Sequence, residues 1–193
     1  MRLMLTILGV ASVIAYALLG AGLMTNWAVV AGSEVPLDEA IAAMRAANQP
    51  YSTASGVIFA GVGTALALAW AAAVLRSRTK ISGWGAVTLW AGIIMLGAPA
   101  YFFASFGNMN SVGDTFYDWN SEAAWATEQP LYMISGAATL IAAIALCAAV
   151  SRASREPATA SDRRGVAGIP RSDFGAPAVS GAGRPGRRRN CGS

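Results

Sequence analysis

Four uninterrupted apolar stretches constrain the fold of this chain more than any other feature. They run from about residue 3 to 24, 52 to 75, 83 to 106 and 131 to 150, and none contains Asp, Glu, Lys or Arg. Each has roughly the 20 residues that a helix needs to cross about 30 Å of hydrocarbon. Because a charge at the membrane centre costs about 2.5 to 3.5 kcal/mol on insertion scales, these charge-free stretches predict four membrane-spanning helices.

The composition of the chain also fits a lipid environment. Its 193 residues are 55% hydrophobic and only 12% charged, with a mean hydropathy of +0.48, which is too apolar for an ordinary soluble domain. We therefore predict an all-α fold, an integral membrane four-helix bundle. Its predicted partner is the lipid bilayer that surrounds it. Residues 1–151 are predicted to form this membrane domain, with outer loops at 25–51 and 107–130.

Residues 152–193 differ sharply in composition from the rest of the chain. They are rich in Arg, Gly, Ala, Pro and Ser and show no apolar periodicity. Such a segment cannot bury enough apolar surface to offset the entropy lost on ordering, so we predict a disordered, basic cytoplasmic tail. Specific nucleic-acid binding is not predicted, because the tail lacks the aromatic or folded element that such binding uses.

The charges are distributed unequally between the two sides of the predicted bundle. Bases flank the spans on one side, at Arg76, Arg78, Lys80, Arg152 and Arg155. The two outer loops hold seven carboxylates and a single base. Because Lys and Arg in short loops stay on the cytoplasmic side, we predict that both termini are cytoplasmic and that the five bases contact anionic lipid.

The alternative for the first stretch is a cleavable signal peptide, whose apolar region is usually shorter, at roughly 7 to 15 residues.

Small residues and one proline predict how the spans pack. Gly56, Ala60 and Thr64 recur every four residues along the second span, a pattern that lets a neighbouring helix approach closely. We expect this face to pack inside the bundle, with a dimer face as the alternative. Pro99 in the third span removes a backbone donor and predicts a kink or an early end of that helix.

The first outer loop contains a pattern typical of a short amphipathic helix. Leu37, Ile41 and Met44 are spaced four and three residues apart. Pro36 suits the start of such a helix, and Pro50 follows its end. We predict an outer helix whose aliphatic side packs against the bundle or lies at the headgroup boundary.

Aromatic, amide and acidic side chains gather in and beside the outer loops. The candidates for contact with a partner or ligand are Asn48, Tyr101, Tyr117, Trp119, Asn120 and Trp125. Tyr and Trp dominate interface energetics, but they also gather at membrane interfaces as an aromatic belt, so both interpretations stand. If the second loop is helical, Asp114, Asp118 and Glu122 form a carboxylate row, which either binds a cation or a basic partner or is a solvated face.

No sequence motif indicates a catalytic centre. The chain has no histidine, and its two cysteines, Cys147 and Cys191, are far apart in sequence. Zinc, copper and histidine-ligated haem therefore lack their usual ligands. A phosphate-binding Gly-rich loop and a nucleophile elbow are also absent from the sequence. We predict no metal site and no cofactor.

Two short motifs resemble the anthrone-oxygenase-like family of small four-span membrane proteins. The stretch AIAAMRAANQ leads into a span that contains GVGTAL, and Trp119 and Asn120 precede the fourth span. In that family an amphipathic run ends in Met-Gln with a nearby Asn, which Met44 and Asn48 resemble, although Arg45 stands where Gln is usual. The family's Arg after the Trp-Asn pair is absent here. The resemblance implies a four-span architecture and an enzyme that acts on a lipophilic aromatic substrate.

Two functional hypotheses follow from these observations. The first is a non-catalytic accessory or scaffold subunit that binds a membrane-protein partner, or a second copy of itself, through its acidic, aromatic outer loops. The alternative is a small membrane enzyme of the anthrone-oxygenase-like type, with a pocket between the helices beneath these loops. A closed, well-packed outer region favours the first hypothesis, whereas an apolar cavity with convergent amides favours the second.

Overall fold

The computed structural model describes residues 2–76 and 81–154, and every regular element within these residues is helical. In chain order the helices are α1 (Arg2–Gly22), α2 (Ala28–Ser33), α3 (Leu37–Ala46), α4 (Ala54–Leu75), α5 (Gly83–Thr115) and α6 (Ser121–Ala153). A π-helical turn, Leu23–Trp27, joins α1 to α2. The predicted lipid contacts at Arg78, Lys80 and Arg155 lie outside the described residues, as does nearly all of the predicted disordered tail.

Four helical segments are long and apolar enough to cross a membrane. They are Leu3–Ser33, Ala54–Leu75, Gly83–Thr115 and Ser121–Arg152, with 31, 22, 33 and 32 residues. At 1.5 Å per residue, even the shortest extends over roughly 33 Å, which exceeds the hydrocarbon thickness of a bilayer. The predicted all-α, four-span fold is confirmed, and the protein is a multi-pass membrane protein.

The helices extend beyond the apolar stretches from which they were predicted. α5 continues as one helix through Pro99 to Thr115, so it does not end early, and the predicted kink at Pro99 stays a prediction. Proline does not end this helix because spanning helices tolerate the loss of one backbone donor when neighbouring groups support the backbone. α6 already begins at Ser121, so much of the predicted second outer loop is helical and only a short turn, residues 116–120, separates the two helices.

One side of α6 faces the interior of the bundle. From Ala124 to Ala138 its buried residues are three or four positions apart, at Ala124, Glu128, Leu131, Ser135 and Ala138. This spacing places them on one side of a helix. Leu131 and Ala138 belong to the main hydrophobic core together with Val13 of α1 and Ile94 of α5. Side chains such as Leu140 point away from the bundle and are exposed, as expected for a surface in contact with lipid.

α1 and α4 approach each other closely through small residues. A Cβ atom at Gly56 would lie 2.6 Å from Thr25 Cγ2 and 3.1 Å from the carbonyl oxygen of Ala21. A Cβ atom at Gly63 would lie 2.6 Å from Ala17 Cβ. Larger side chains at either glycine would push the two helices apart, so the expectation that this face packs inside the bundle is confirmed at Gly56.

The short helix α3 covers one end of the spans. Its inward residues Ala40 and Met44 are fully buried and pack with Val29 of α2 and Val112 of α5 in a second hydrophobic cluster. The predicted amphipathic helix is confirmed. The region formed by the π-helical turn, α2, α3, the turn at 116–120 and the adjoining ends of α5 and α6 is referred to below as the cap. The opposite end of the bundle, where α4 ends and α5 begins, is the basic end.

Candidate functional site

Two side chains hold the π-helical turn that joins α1 to α2. The π-helical turn shifts the backbone hydrogen bonds by one residue, since the Ala28 N–H donates to the Leu23 carbonyl. Two carbonyls of this turn accept side-chain hydrogen bonds, Met24 O from Asn108 Nδ2 at 3.0 Å and Thr25 O from the Tyr51 hydroxyl at 2.5 Å. Burial raises the pKa of the Tyr51 hydroxyl above its usual value.

Asn108 also binds the loop between α3 and α4. Its Nδ2 donates to Ser52 O at 2.9 Å, and its Oδ1 accepts from the Ser52 N–H at 3.1 Å. Ser111, about one turn further along α5, donates to Pro50 O at 2.7 Å. The end of α5 therefore holds both the first span and the loop that follows α3.

Asn48 has a role in ending α3. It is exposed and has a φ of 57°, a left-handed conformation that Asn adopts more readily than most residues. Its N–H donates to Arg45 O at 3.1 Å, and the Gln49 N–H donates to Met44 O at 2.8 Å. These are the two hydrogen bonds of a Schellman motif. The predicted contact between Asn48 and a ligand stays a prediction, because the structure explains this residue by helix geometry alone.

The turn at residues 116–120 is held by aromatic packing. Phe116 and Trp119 both pack against the hydrophobic cluster of the cap. The Trp119 N–H donates to Phe116 O at 3.2 Å, and the Trp119 ring lies against Gly32 of α2. Trp119, a predicted contact residue, therefore packs largely inward.

Asn120 connects this turn to α2 and starts α6. Its N–H donates to Gly32 O at 2.8 Å, and its Nδ2 donates to Glu34 Oε1 at 2.6 Å. Its Oδ1 accepts from the Ala123 N–H at 2.9 Å, which satisfies a free donor at the N-terminus of α6. All the polar groups of this predicted contact residue take part in the fold of the cap.

Tyr117 projects from the same turn into solvent. Its side chain is 99% exposed, although Phe116 before it and Trp119 after it pack into the cap. Asp118, next in sequence, and Asp114, on the last turn of α5, are also exposed. The cap thus presents a large aromatic side chain among carboxylates on an ordered backbone.

The predicted carboxylate row does not form on one helix. Asp114 lies on α5, Asp118 in the turn and Glu122 in the first turn of α6, so the continuous helix that the row requires is not present. The acidic character of the cap nevertheless holds, since Arg45 is its one exposed base among the described residues. Its exposed carboxylates are Glu34, Asp38, Glu39, Asp114, Asp118 and Glu122.

Glu128 is a buried carboxyl group that the sequence patterns assigned to an outer loop. It lies on the inward side of α6, is 8% exposed, and accepts a 2.8 Å hydrogen bond from the Tyr101 hydroxyl. Tyr101, a predicted contact residue, is fully buried, so it is not accessible to a partner at the protein surface. The signal that could have identified Glu128 is its spacing of four residues from Ala124 and three from Leu131, both of which are buried.

Trp125 is the second predicted contact residue with an exposed ring. It is 55% exposed and stacks on Tyr132, with ring centroids 5.0 Å apart and an interplanar angle of 29°. Tyr132 in turn packs edge-on against Tyr101 at 5.9 Å. Trp125 therefore joins the protein surface to the buried aromatic residues beneath the cap.

Three cavities in the part of the chain that the structure describes lie along the spans. Their volumes are about 480, 410 and 150 Å³, and none of the three is lined by Asn48, Tyr101, Trp119 or Asn120. Every buried side-chain nitrogen and oxygen atom in the described residues has a hydrogen-bond partner. The described residues also contain no group of three or more His, Cys, Asp or Glu side chains that could hold a metal ion.

The basic end has a cation–π contact between its helices. The Arg152 guanidinium, at the end of α6, lies 5.4 Å from the ring centroid of Trp84 at the start of α5. Arg152 and Arg76 are both exposed. Their predicted contacts with anionic lipid stay predictions.

The fold places this protein in the class of all-helical, four-span membrane proteins, here with a cap at one end of the bundle. No protein-family model matches the chain, and no curated protein or solved structure matches it significantly. Its function is therefore inferred from its own residues.

Proposed function

We propose that this protein is a non-catalytic accessory or scaffold subunit that binds a membrane-protein partner through its cap. The observation that carries the proposal is the exposure of Tyr117, which reaches 99% on a turn held by Phe116, Trp119 and Asn120. A large aromatic side chain on an ordered backbone loses little conformational entropy on binding. Tyrosine is also enriched among the residues that dominate interface energies.

The charge of the cap favours a basic surface on that partner. Six exposed carboxylates of the described cap residues accompany a single exposed base, Arg45. Complementary potentials speed the encounter and suppress wrong partners. Two copies of the cap that faced each other would place like charges together, which disfavours a homo-oligomer formed through this surface.

We further propose that the cap faces the outside of the cell and that both termini are cytoplasmic. The support is the distribution of charge, because bases flank the spans at the basic end whereas carboxylates prevail in the cap. A partner would accordingly contact the cap from the outer side of the membrane.

The alternative function is an enzyme of the anthrone-oxygenase-like type, which needs polar groups that face a substrate. Its candidate polar groups line none of the three cavities described above. Asn48 is exposed at the end of α3, Asn120 is bonded to Glu34, and Tyr101 is bonded to Glu128. The accessory role is better supported because it requires only the side chains that are exposed on the cap.

Site-specific photocrosslinking tests the proposed partner contact. With a photoreactive phenylalanine analogue at position 117, irradiation of native membranes should yield one crosslinked species that contains a second protein with a basic outer surface. The same analogue in place of Leu140, a lipid-facing residue of α6 that is 67% exposed, is the matched control and should not yield it.

Two results would contradict this proposal. A crosslinked species that contains two copies of this chain would indicate a homo-oligomer, and the absence of any crosslinked protein at position 117 would show that the cap has no partner.

Tyr117→Ala should abolish co-purification with the partner. It should change the free energy of unfolding by less than about 0.5 kcal/mol, as is usual for exposed positions.

A further inference from the structure

The largest of the three cavities is a groove between α1, α4 and α5 at the basic end. It has a volume of about 480 Å³ and is lined mostly by apolar side chains, including Trp70 of α4 and Trp90 of α5. Leu5 and Leu8 of α1 line it as well and are more than half exposed, so the groove is open towards the surrounding lipid. Its volume falls within the range of roughly 300 to 1,000 Å³ that is typical of ligand sites.

The polar groups of the two tryptophans are already engaged within the protein. Trp70 Nε1 donates to Ala86 O at 2.9 Å. Trp90 Nε1 donates to Gly9 O at 3.2 Å and to Ser12 Oγ at 3.1 Å, and the Ser12 hydroxyl donates to Gly9 O at 2.8 Å. The indole N–H groups are therefore not available to a polar ligand, which would lose its hydration against walls that are mostly apolar. The groove therefore selects an apolar ligand.

Positive charge lies at the end of the groove that is closest to the membrane surface. Arg76 is exposed and follows Val74, a residue that lines the groove, by two positions. Arg152, which lies over Trp84, adds a second positive charge at the same end of the bundle. The described residues at these helix ends include no Asp or Glu. A ligand with an apolar body and an anionic head therefore complements the whole region.

We propose that this groove binds one acyl chain of an anionic phospholipid and that the lipid phosphate lies near Arg76. The bilayer supplies this ligand in excess, its chain matches the apolar walls, and its phosphate matches the positive charge at the groove's end. A neutral lipophilic molecule would fit the groove but would gain nothing from Arg76. The proposal is independent of the partner contact at the cap.

Native mass spectrometry of the purified full chain can test the choice of headgroup. The probes are phosphatidylglycerol and phosphatidylcholine with identical acyl chains. We expect one molecule of phosphatidylglycerol to bind about fivefold more tightly than phosphatidylcholine, which is the effect of one base near the phosphate. Arg76→Gln should remove that preference while binding of the chain persists. Equal affinities for the two lipids in the wild-type protein would overturn the assignment of an anionic headgroup.

Substitutions that fill the groove test the place of the acyl chain. Ala86→Leu and Gly83→Leu should each weaken the binding of phosphatidylglycerol by about tenfold, because the added methylene groups displace part of the chain. An added Cβ at Gly83 meets no atom within 4 Å, so this variant should fold even if Ala86→Leu does not. Gly92→Leu is the matched control, since it lies on the same helix in equally open space and does not line the groove.

Two further outcomes would overturn the proposal. If Gly83→Leu and Ala86→Leu both bind phosphatidylglycerol as tightly as Gly92→Leu does, the acyl chain lies elsewhere. If glycerol phosphate, which has the anionic head and no chain, binds as tightly as the lipid, the site recognises a free phosphate and the groove contributes nothing.

Discussion

Replacing Asn108 by leucine should strongly destabilise the protein. The two side chains are similar in size, so the substitution removes hydrogen bonds with little change in volume. Asn108 is 5% exposed and makes three hydrogen bonds, to Met24 O at 3.0 Å, to Ser52 O at 2.9 Å and from the Ser52 N–H at 3.1 Å. Hydrogen bonds between helices in membrane proteins contribute about 0.6 kcal/mol on average and up to about 1.7 kcal/mol each. Three of them predict a loss of about 2 to 5 kcal/mol in the free energy of unfolding.

Reversible unfolding in mixed micelles of SDS and a mild detergent, followed by circular dichroism, measures this loss. The matched control is Asn110→Leu, which makes the same substitution at an exposed position of α5. Its free energy of unfolding should stay within about 0.5 kcal/mol of the wild-type value. If the two variants unfold with the same free energy, Asn108 does not hold α5 to the π-helical turn and to the loop after α3, and the reasoning is refuted.

The same measurement tests three other contacts. Gly63→Leu should cost about 1 to 3 kcal/mol because the new side chain meets α1, whereas Gly61→Leu, in open space, should have little effect. Glu128→Leu should cost about 1 to 3 kcal/mol because it leaves the buried Tyr101 hydroxyl without an acceptor, and Glu128→Gln, which keeps an acceptor oxygen, should cost less. Asn48→Val should cost about 1 to 2 kcal/mol because its φ of 57° disfavours a β-branched residue, while Asn48→Gly should be nearly neutral. Equal effects within any of these pairs would contradict the contact concerned.

The four spans could be predicted because insertion into lipid depends on local composition. Each charge-free stretch overlaps one of the long helices, as expected when the transfer free energy is a sum over about 20 residues. The helix ends in the cap could not be predicted in this way. α6 begins at Ser121 because the Asn120 side chain satisfies a donor of its first turn, and that contact lies outside the apolar stretch.

The residues that organise the cap were only partly visible in the sequence. The spacing of apolar residues in α3 is a local signal, and it predicted the helix correctly. Asn108 was not identified because its partners Met24 and Ser52 are 84 and 56 residues away along the chain, and because periodicity does not reveal a π-helical turn. Glu128 was assigned to a loop because the charge-free stretch starts only after it, although α6 buries this carboxyl group.

Labelling of single cysteines tests most directly whether the cap and the basic end lie on opposite sides of a membrane. In a chain in which serine replaces Cys147 and Cys191, Ala42→Cys introduces a thiol on the exposed side of α3, and Arg76→Cys introduces one at the end of α4. A membrane-impermeant maleimide added to intact cells should label position 42 and should label position 76 only after the membrane is opened. Labelling of both positions in intact cells would contradict the four-span arrangement.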